Sequence, residues 1–189
     1  MARARNPAHR HDLLVAATRV FDEYGLGAST ASIAKEAGVS TGTLFVYFDT
    51  KSDLVNELYV ELKSEMARIA TDALPSGTTP REQLRHMWDR WIAWSTTQPQ
   101  KRRALAHLGV AGDLTDESRA AVGQAYADIA PRVRTIVEAG PLRDAPLAFA
   151  LGLMSSITDA TIDDLIQNPD PDGSRSTLAF DAMWRALAG

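Results

Sequence analysis

Apolar residues recur every three or four positions along almost the whole chain, and this spacing constrains the fold more than any other feature. It places apolar side chains along one face of a helix, whereas a half-buried strand needs strict alternation. We find no convincing alternating stretch, no internal repeat and no low-complexity tract. The spacing therefore predicts an all-α fold of about nine helices.

Composition narrows the class of protein. Hydrophobic residues make up 45% of the chain and charged residues 23%, as in globular domains. The absence of cysteine excludes disulfides, thiolate metal sites and cysteine nucleophiles. The longest uncharged stretch, 14 residues from Ala145 to Thr158, is too short to span a bilayer, and the basic N-terminus lacks the apolar run of a signal peptide. We expect a soluble, cytoplasmic protein with no membrane partner and no cofactor.

Charge is distributed unevenly. The net charge is −4, yet the first 51 residues hold six basic and five acidic residues, so the acidic excess lies in the remainder. A slightly cationic N-terminal segment is compatible with a phosphate-bearing partner and equally with an ordinary surface.

Glycines and hydroxyl side chains mark the ends of the first helices. Gly25 and Gly27 end the first helix, while Ser29, Ser40 and Ser52 are the predicted N-caps of the second, third and fourth. Further along, Pro131 is predicted to kink a single seventh helix.

The segment from Ile33 to Phe48 has the pattern of two short helices joined by a turn, a helix-turn-helix. Gly38 is expected to adopt the left-handed geometry that ends the first of the two, and Val39 and Leu44 are expected to be buried against Ile33 and the first helix. A helical hairpin that only packs would show the same pattern, so a purely structural role stays open. The residues expected on the exposed face of the second short helix are Thr41, Gly42, Thr43, Val46 and Tyr47.

Residues 10–58 resemble the DNA-binding domain of the tetracycline-repressor (TetR) family of transcriptional regulators. The resemblance implies a homodimer that binds a near-palindromic DNA operator and, most simply as a repressor, releases it when a small-molecule effector binds. It also implies two domains, residues 1–51 for DNA and residues 52–189 for ligand binding and dimerisation. The matching positions are Ala16-Ala17, Phe21, Gly25, Ser29-Thr30, Ile33-Ala34, Ala37-Gly38-Val39-Ser40, Gly42-Thr43-Leu44, Tyr47-Phe48 and Lys51-Ser52-Asp53-Leu54.

The same resemblance implies particular DNA contacts. Phe45 stands where the family usually has Tyr, and Thr41 stands where Lys or Arg is frequent, so one phosphate bond and one guanine contact are lost. We therefore expect specificity to rest more on thymine methyl groups, the N-terminal arm and DNA shape. The implied contacts are Thr30, Tyr47 and Lys51 to phosphate, Thr41, Gly42 and Thr43 at or near the bases, and Phe45 beside the backbone.

Basic residues near the N-terminus form a second candidate contact. Arg3, Arg5 and Arg10, with His9 and His11, are predicted to lie ahead of the first helix. Arginine in such an arm can enter a narrow minor groove. A solvated terminus is the alternative for Arg3 and Arg5, so Arg10 is the preferred DNA contact.

Three tryptophans on one helix mark the candidate effector site. The spacing of Trp88, Trp91 and Trp94 predicts that they cannot all face one core, so at least one lines a cavity. Tryptophan as core filler is the alternative, and the resemblance favours the cavity. His107 and Met154 are weaker candidates.

The eighth predicted helix is apolar on two sides, which is typical of a helix that meets a partner. Together with the ninth, it is expected to form a four-helix interface with a second copy. The candidate interface residues are Phe149, Leu153, Ser156, Ala160, Phe180, Met183 and Trp184.

Enzymatic and metal sites are not expected. Glu82 with His86, and Asp159 with Asp163, are spaced for a metal on a helix but lack further ligands. Neither a phosphate-binding glycine loop nor a nucleophile elbow is present. The remaining alternative is a helical small-molecule-binding or small enzyme domain without DNA function, which predicts no salt-dependent DNA affinity.

Overall fold

The computed structural model describes residues 7–189, and Arg3 and Arg5 lie outside this range. Within it the chain forms ten helices and no β-strand, which confirms the all-α prediction. The helices are α1 (Pro7–Tyr24), α2 (Thr30–Glu36), α3 (Thr41–Tyr47), α4 (Lys51–Thr71), α5 (Pro80–Thr97), α6 (Pro99–Gly109), α7 (Asp116–Ala125), α8 (Ala130–Ala139), α9 (Leu147–Gln167) and α10 (Ser174–Ala188).

The structure has one helix more than predicted because the region around Pro131 forms two helices. Pro131 was predicted to kink one continuous helix, but it lies in the first turn of a new helix, α8. α7 ends at Ala125, and α8 begins at Ala130. In the first turn of a helix the backbone N–H groups have no partner inside the helix, so proline loses nothing there.

Two predicted helix starts are also wrong. α1 begins at Pro7, so His9, Arg10 and His11 lie within the helix and not ahead of it. Proline suits a first helical position, and nothing in the next residues stops the helix. α4 begins at Lys51, because Thr50 and not Ser52 is its cap: the Thr50 N–H donates to Asp53 Oδ2 at 2.8 Å, and the Asp53 N–H donates to Thr50 Oγ1 at 3.1 Å.

Contacts divide the chain into two compact units. The first unit comprises the chain through Glu65 together with Gln98–Gln124, and it contains α1, α2, α3, α6, most of α4 and most of α7. In it α1 packs against α2 and α6. Its buried apolar side chains include Leu13, Leu14, Ala17, Phe21, Ile33, Leu44, Phe48, Leu54, Leu58, Leu62, Leu105 and Leu108.

A buried asparagine joins α4 to the segment before α7 in this first unit. Asn56 Nδ2 donates to the Asp113 carbonyl at 3.0 Å, and Asn56 Oδ1 accepts from the Thr115 N–H at 2.8 Å. Both polar ends of the amide are thereby satisfied, as burial of such a group requires.

The second unit comprises Met66–Thr97 and Ala125–Gly189, with the end of α4 and the helices α5, α8, α9 and α10. Gly140 allows the chain to pass α10 closely, since a Cβ atom there would lie 1.8 Å from the Leu187 carbonyl oxygen. The buried core of this unit includes Leu84, Met87, Trp88, Trp91, Val133, Ile136, Met154, Phe180, Met183 and Leu187.

Candidate nucleic-acid interface

Local hydrogen bonds set the geometry of the α2–α3 pair. Ser29 Oγ caps α2 by accepting from the Ser32 N–H at 3.1 Å, and Ser40 Oγ caps α3 by accepting from the Thr43 N–H at 3.0 Å. Between them Gly38 has φ +69°, and the Val39 N–H donates back to the Ala34 carbonyl at 2.9 Å. These caps and the left-handed glycine confirm the predicted helix–turn–helix.

α3 has a buried side and an exposed side. Leu44 is 0% exposed, whereas Gly42, Phe45 and Val46 are exposed. The first two belong to the predicted DNA contacts, whereas Val46 lies on the predicted exposed face without a predicted contact. The position opposite Leu44 on a helical projection is the signal that identifies it.

The predicted hydroxyl contacts are partly engaged within the protein. Thr30 is the first residue of α2 and is half-buried, as are Thr41, Thr43 and Tyr47. Thr43 Oγ1 lies 2.9 Å from Ser40 Oγ. The Tyr47 ring lies 6.4 Å from the ring of His9, which brings the first turns of α1 beside the end of α3.

Lys51 has a structural partner that the sequence does not reveal. Its ammonium donates to the Leu26 carbonyl oxygen at 2.5 Å, and thus ties the segment after α1 to the start of α4. An ammonium group has three donors, so two remain for other acceptors.

Arg10 is also held from within the protein. It forms an ion pair with Glu57 on α4, and the neighbouring His11 lies 4.0 Å from Glu61. Burial raises the pKa of Glu57, although the attraction of Arg10 acts to lower it.

The three tryptophans are all buried, and the prediction that they do not all face one core, so that at least one lines a cavity, stays a prediction. Trp88, Trp91 and Trp94 are 0%, 6% and 5% exposed. Residues three apart are offset by about 60° around a helix, so three of them cover about 120°, the width of an ordinary buried stripe. Trp88, Trp91 and Met154 lie in one apolar core.

Two polar groups on α5 lack a partner among the described residues. The Trp88 indole N–H donates to Ser176 Oγ at 3.0 Å, but Trp91 Nε1 and Ser95 Oγ are buried without a hydrogen bond. The two residues are one turn apart and therefore point to the same side of the helix. His107, the weaker histidine candidate, is exposed on α6 in the first unit.

The predicted dimer residues fall into two sets. On α9, Ser156 and Ala160 are exposed, Phe149 is 58% exposed and Leu153 is half-buried. On α10, however, Trp184 is half-buried, and Phe180 and Met183 are buried in the core of their own chain. Phe180 and Met183 fill the core beside Trp88 and are not available to a partner, contrary to the predicted interface.

Glu82 and His86, one of the two spaced pairs, each have a hydrogen-bond partner within the protein. Glu82 accepts from the Thr79 N–H at 2.8 Å, which caps α5 and lowers the pKa of that carboxyl, while His86 Nε2 lies 2.9 Å from the Asp72 carbonyl. Across residues 7–189, no group of three or more acidic or histidine side chains is placed to hold a metal ion. None of the helices between residues 7 and 189 combines the length and the apolar composition that a membrane-spanning helix needs.

Comparison with known proteins places these features in context. Residues 13–58 match the family model described as bacterial regulatory proteins, tetR family. The HTH-type transcriptional regulator BetI of Stenotrophomonas maltophilia is 40% identical over 88 residues, which are 44% of this chain and 43% of BetI. HbdR, an HTH-type transcriptional regulator of Aromatoleum sp., is 43% identical over 56 residues, 29% of this chain and 23% of HbdR. The chain thus spans less than half the length of these curated relatives.

Solved structures extend the likeness to the whole fold. A tetR-family transcription regulator from Shewanella sp. PV-4 superposes with a TM-score of 0.86 at 24% identity, over 98% of this chain and 100% of that one. A second, from Marinobacter aquaeolei VT8, has a TM-score of 0.84 at 23% identity, over 96% of each chain. At this identity the two structures establish a shared fold.

Proposed function

Since the chain belongs to the tetR family of bacterial regulatory proteins, we propose that it is a homodimeric DNA-binding transcriptional repressor, released from a near-palindromic operator by a small-molecule effector. The observation that carries the proposal is the exposed side of α3, which lies opposite the buried Leu44 in a capped helix–turn–helix. Such a protein acts on chromosomal DNA, so we place it in the cytoplasm and assign it no enzymatic activity.

α3 is the recognition helix in this proposal. A major groove about 12 Å wide admits a helix of this kind. Thr41, Gly42 and Thr43 lie at the base edges, with Phe45 beside the DNA backbone. The phosphate contacts are Thr30, Tyr47, Arg10 and the free donors of Lys51.

The exposed side of α9 is the proposed dimer interface. Phe149 is a large apolar side chain that is mostly exposed, and a monomeric surface gains nothing from it. Ser156 and Ala160 are small and permit close approach of a second helix. In a dimer on an inverted repeat the two α3 helices lie about 34–36 Å apart, one turn of DNA.

The interior of the second unit is the proposed effector site. A buried polar group without a partner costs about 1–3 kcal/mol, so the unpaired N–H of Trp91 and hydroxyl of Ser95 favour a ligand that hydrogen-bonds to both. Trp88 and Met154 then contribute apolar contacts, with Trp94 as a further candidate. Coupling of the effector to DNA release amounts to ~1–3 kcal/mol in such systems.

Selection of tight binders from a random pool of DNA duplexes, repeated at two salt concentrations, tests the proposal. An enriched inverted repeat, bound more weakly at higher salt, supports both DNA binding and the dimer. Gly42→Glu is the control: a Cβ atom there meets only Ser40 Oγ, at 3.7 Å, so the variant folds but directs a carboxylate toward the phosphates. No salt-dependent affinity after unfolding and refolding to remove bound ligand would instead favour a helical ligand-binding domain.

A further inference from the structure

Val46 occupies the centre of the exposed side of α3. At about 100° per residue, Val46 lies about 200° from Leu44, and it follows Gly42 by about one turn. Leu44 is fully buried, and Val46 is 49% exposed. The two residues that bracket the outermost line of the helix are therefore Gly42 and Val46.

Neither residue is explained by packing within the described chain. A Cβ atom at Gly42 would meet only Ser40 Oγ, although glycine costs about 1 kcal/mol in a helix compared with alanine. Val46 is β-branched, a poor helix former, and half of its surface faces solvent. A glycine that leaves room beside an exposed apolar side chain indicates close approach of a partner to this line of α3.

α3 offers few polar side chains for hydrogen bonds to bases, so contacts along this line are expected to be apolar. α3 reads Thr-Gly-Thr-Leu-Phe-Val-Tyr and carries no Arg, Lys, Asn or Gln, the side chains that bond two base atoms at once. The hydroxyl of Thr43 is already shared with Ser40. Phe45, which flanks Val46, is apolar and exposed as well.

In the major groove the apolar feature of a natural base pair is the C5 methyl group of thymine. We propose that Val46 reads a pyrimidine C5 methyl group at one position of each operator half-site. This inference rests on the proposed DNA-binding function. The same methyl group is carried by 5-methylcytosine, so the chemistry recognised is the methyl group and the test separates its two sources.

Uracil in place of thymine removes the methyl group and leaves base pairing intact. In the operator obtained by selection, each thymine is replaced singly and the affinity of the parent protein is measured. One position per half-site should lose about four-fold, the effect of one buried methyl group. Val46→Ala should bind the thymine and uracil duplexes at that position equally.

Two further arms complete the test. Val15→Ala, which truncates an exposed valine on α1, is the matched control and should keep the full discrimination. In the parent protein, 5-methylcytosine is compared with cytosine, each paired with guanine, at every pyrimidine position of the half-site, and at one position the methylated base should bind about four-fold more tightly. If this gain appears without any loss on uracil substitution, methylated cytosine is the source.

The proposal is overturned if the parent binds an operator but no position responds to either methyl group, or if Val46→Ala keeps the discrimination. Both results leave the proposed DNA-binding function intact. Failure of the parent to bind any duplex overturns that function and this inference together. Thermal unfolding of Val46→Ala at the parent temperature shows that the variant is folded.

Discussion

Arg10, in the second turn of α1, forms an ion pair with Glu57 on α4. The two residues lie 47 positions apart, so the pair depends on how the fold brings these two side chains together and not on local sequence. A cation that faces a carboxylate is only partly available to a phosphate. The pair thereby limits one of the proposed DNA contacts.

Glu57→Gln should strengthen binding to all DNA sequences alike, because it frees Arg10. The slope of log affinity against log salt should steepen by about 0.9, the effect of one added phosphate contact. Titrations of a labelled duplex at several salt concentrations measure this. Glu61→Gln, which removes a carboxylate beside His11, is the control for net charge, and an equal gain in both variants would contradict the release of Arg10.

The raised pKa of Glu57 predicts a pH dependence of stability. Since the folded chain holds this proton to a higher pH than the unfolded chain, whose Glu pKa is near 4.5, the folded state binds more protons between the two values. Stability supplied by this group therefore falls as pH rises through that range. The free energy of unfolding of Glu57→Gln, minus that of the parent, should increase over the range and then level off in urea titrations. A difference that does not change with pH would refute the prediction.

Gly42→Ala should separate stability from function. The variant should gain up to about 1 kcal/mol in stability, because alanine favours the helix, and should lose DNA affinity, because a methyl group then stands on the side facing DNA. Thermal unfolding and duplex titration measure the two effects. Gly123→Ala, at an exposed position of α7 with open space, should gain stability without losing affinity. Unchanged DNA affinity in Gly42→Ala would show that this side of α3 does not contact DNA.

Lys51→Ala and Thr43→Ala should differ in kind. Lys51→Ala should weaken binding to all sequences alike and reduce the salt slope by about one. It should also cost about 1 kcal/mol of stability, since the Leu26 carbonyl loses its donor. Thr43→Ala should change the preference between sequences. Affinities of both variants for a panel of operator sequences test this difference. If both variants lose the same affinity for every sequence, the proposed division between a phosphate contact by Lys51 and a base contact by Thr43 is wrong.

Leu153→Arg should give a monomer that no longer binds the inverted repeat. A charge buried in an interface without a partner costs about 3–5 kcal/mol, enough to dissociate an ordinary dimer. Sedimentation or light scattering reports the mass. Ala139→Arg, on the exposed side of α8, should remain dimeric. A dimer that survives Leu153→Arg would move the interface away from α9.

Features that depend on neighbouring residues were determined by the sequence alone. The caps Ser29 and Ser40, the left-handed Gly38 and the buried Leu44 follow from contacts within a few positions, where chain geometry is known in advance. The family resemblance rests on the same short segment. The helical periodicity likewise predicted the fold class.

Contacts between residues far apart in the chain were decided by the tertiary structure. Lys51 meets the Leu26 carbonyl, Arg10 meets Glu57, and Trp88 donates to Ser176 88 positions away. Periodicity shows that a side of α10 is apolar, but not whether it packs inside its own chain or against a second copy. Phe180 and Met183 are buried within their own chain because the apolar side of α10 packs against α5, α8 and α9. Such packing depends on how all of these helices fit together, which no local pattern specifies.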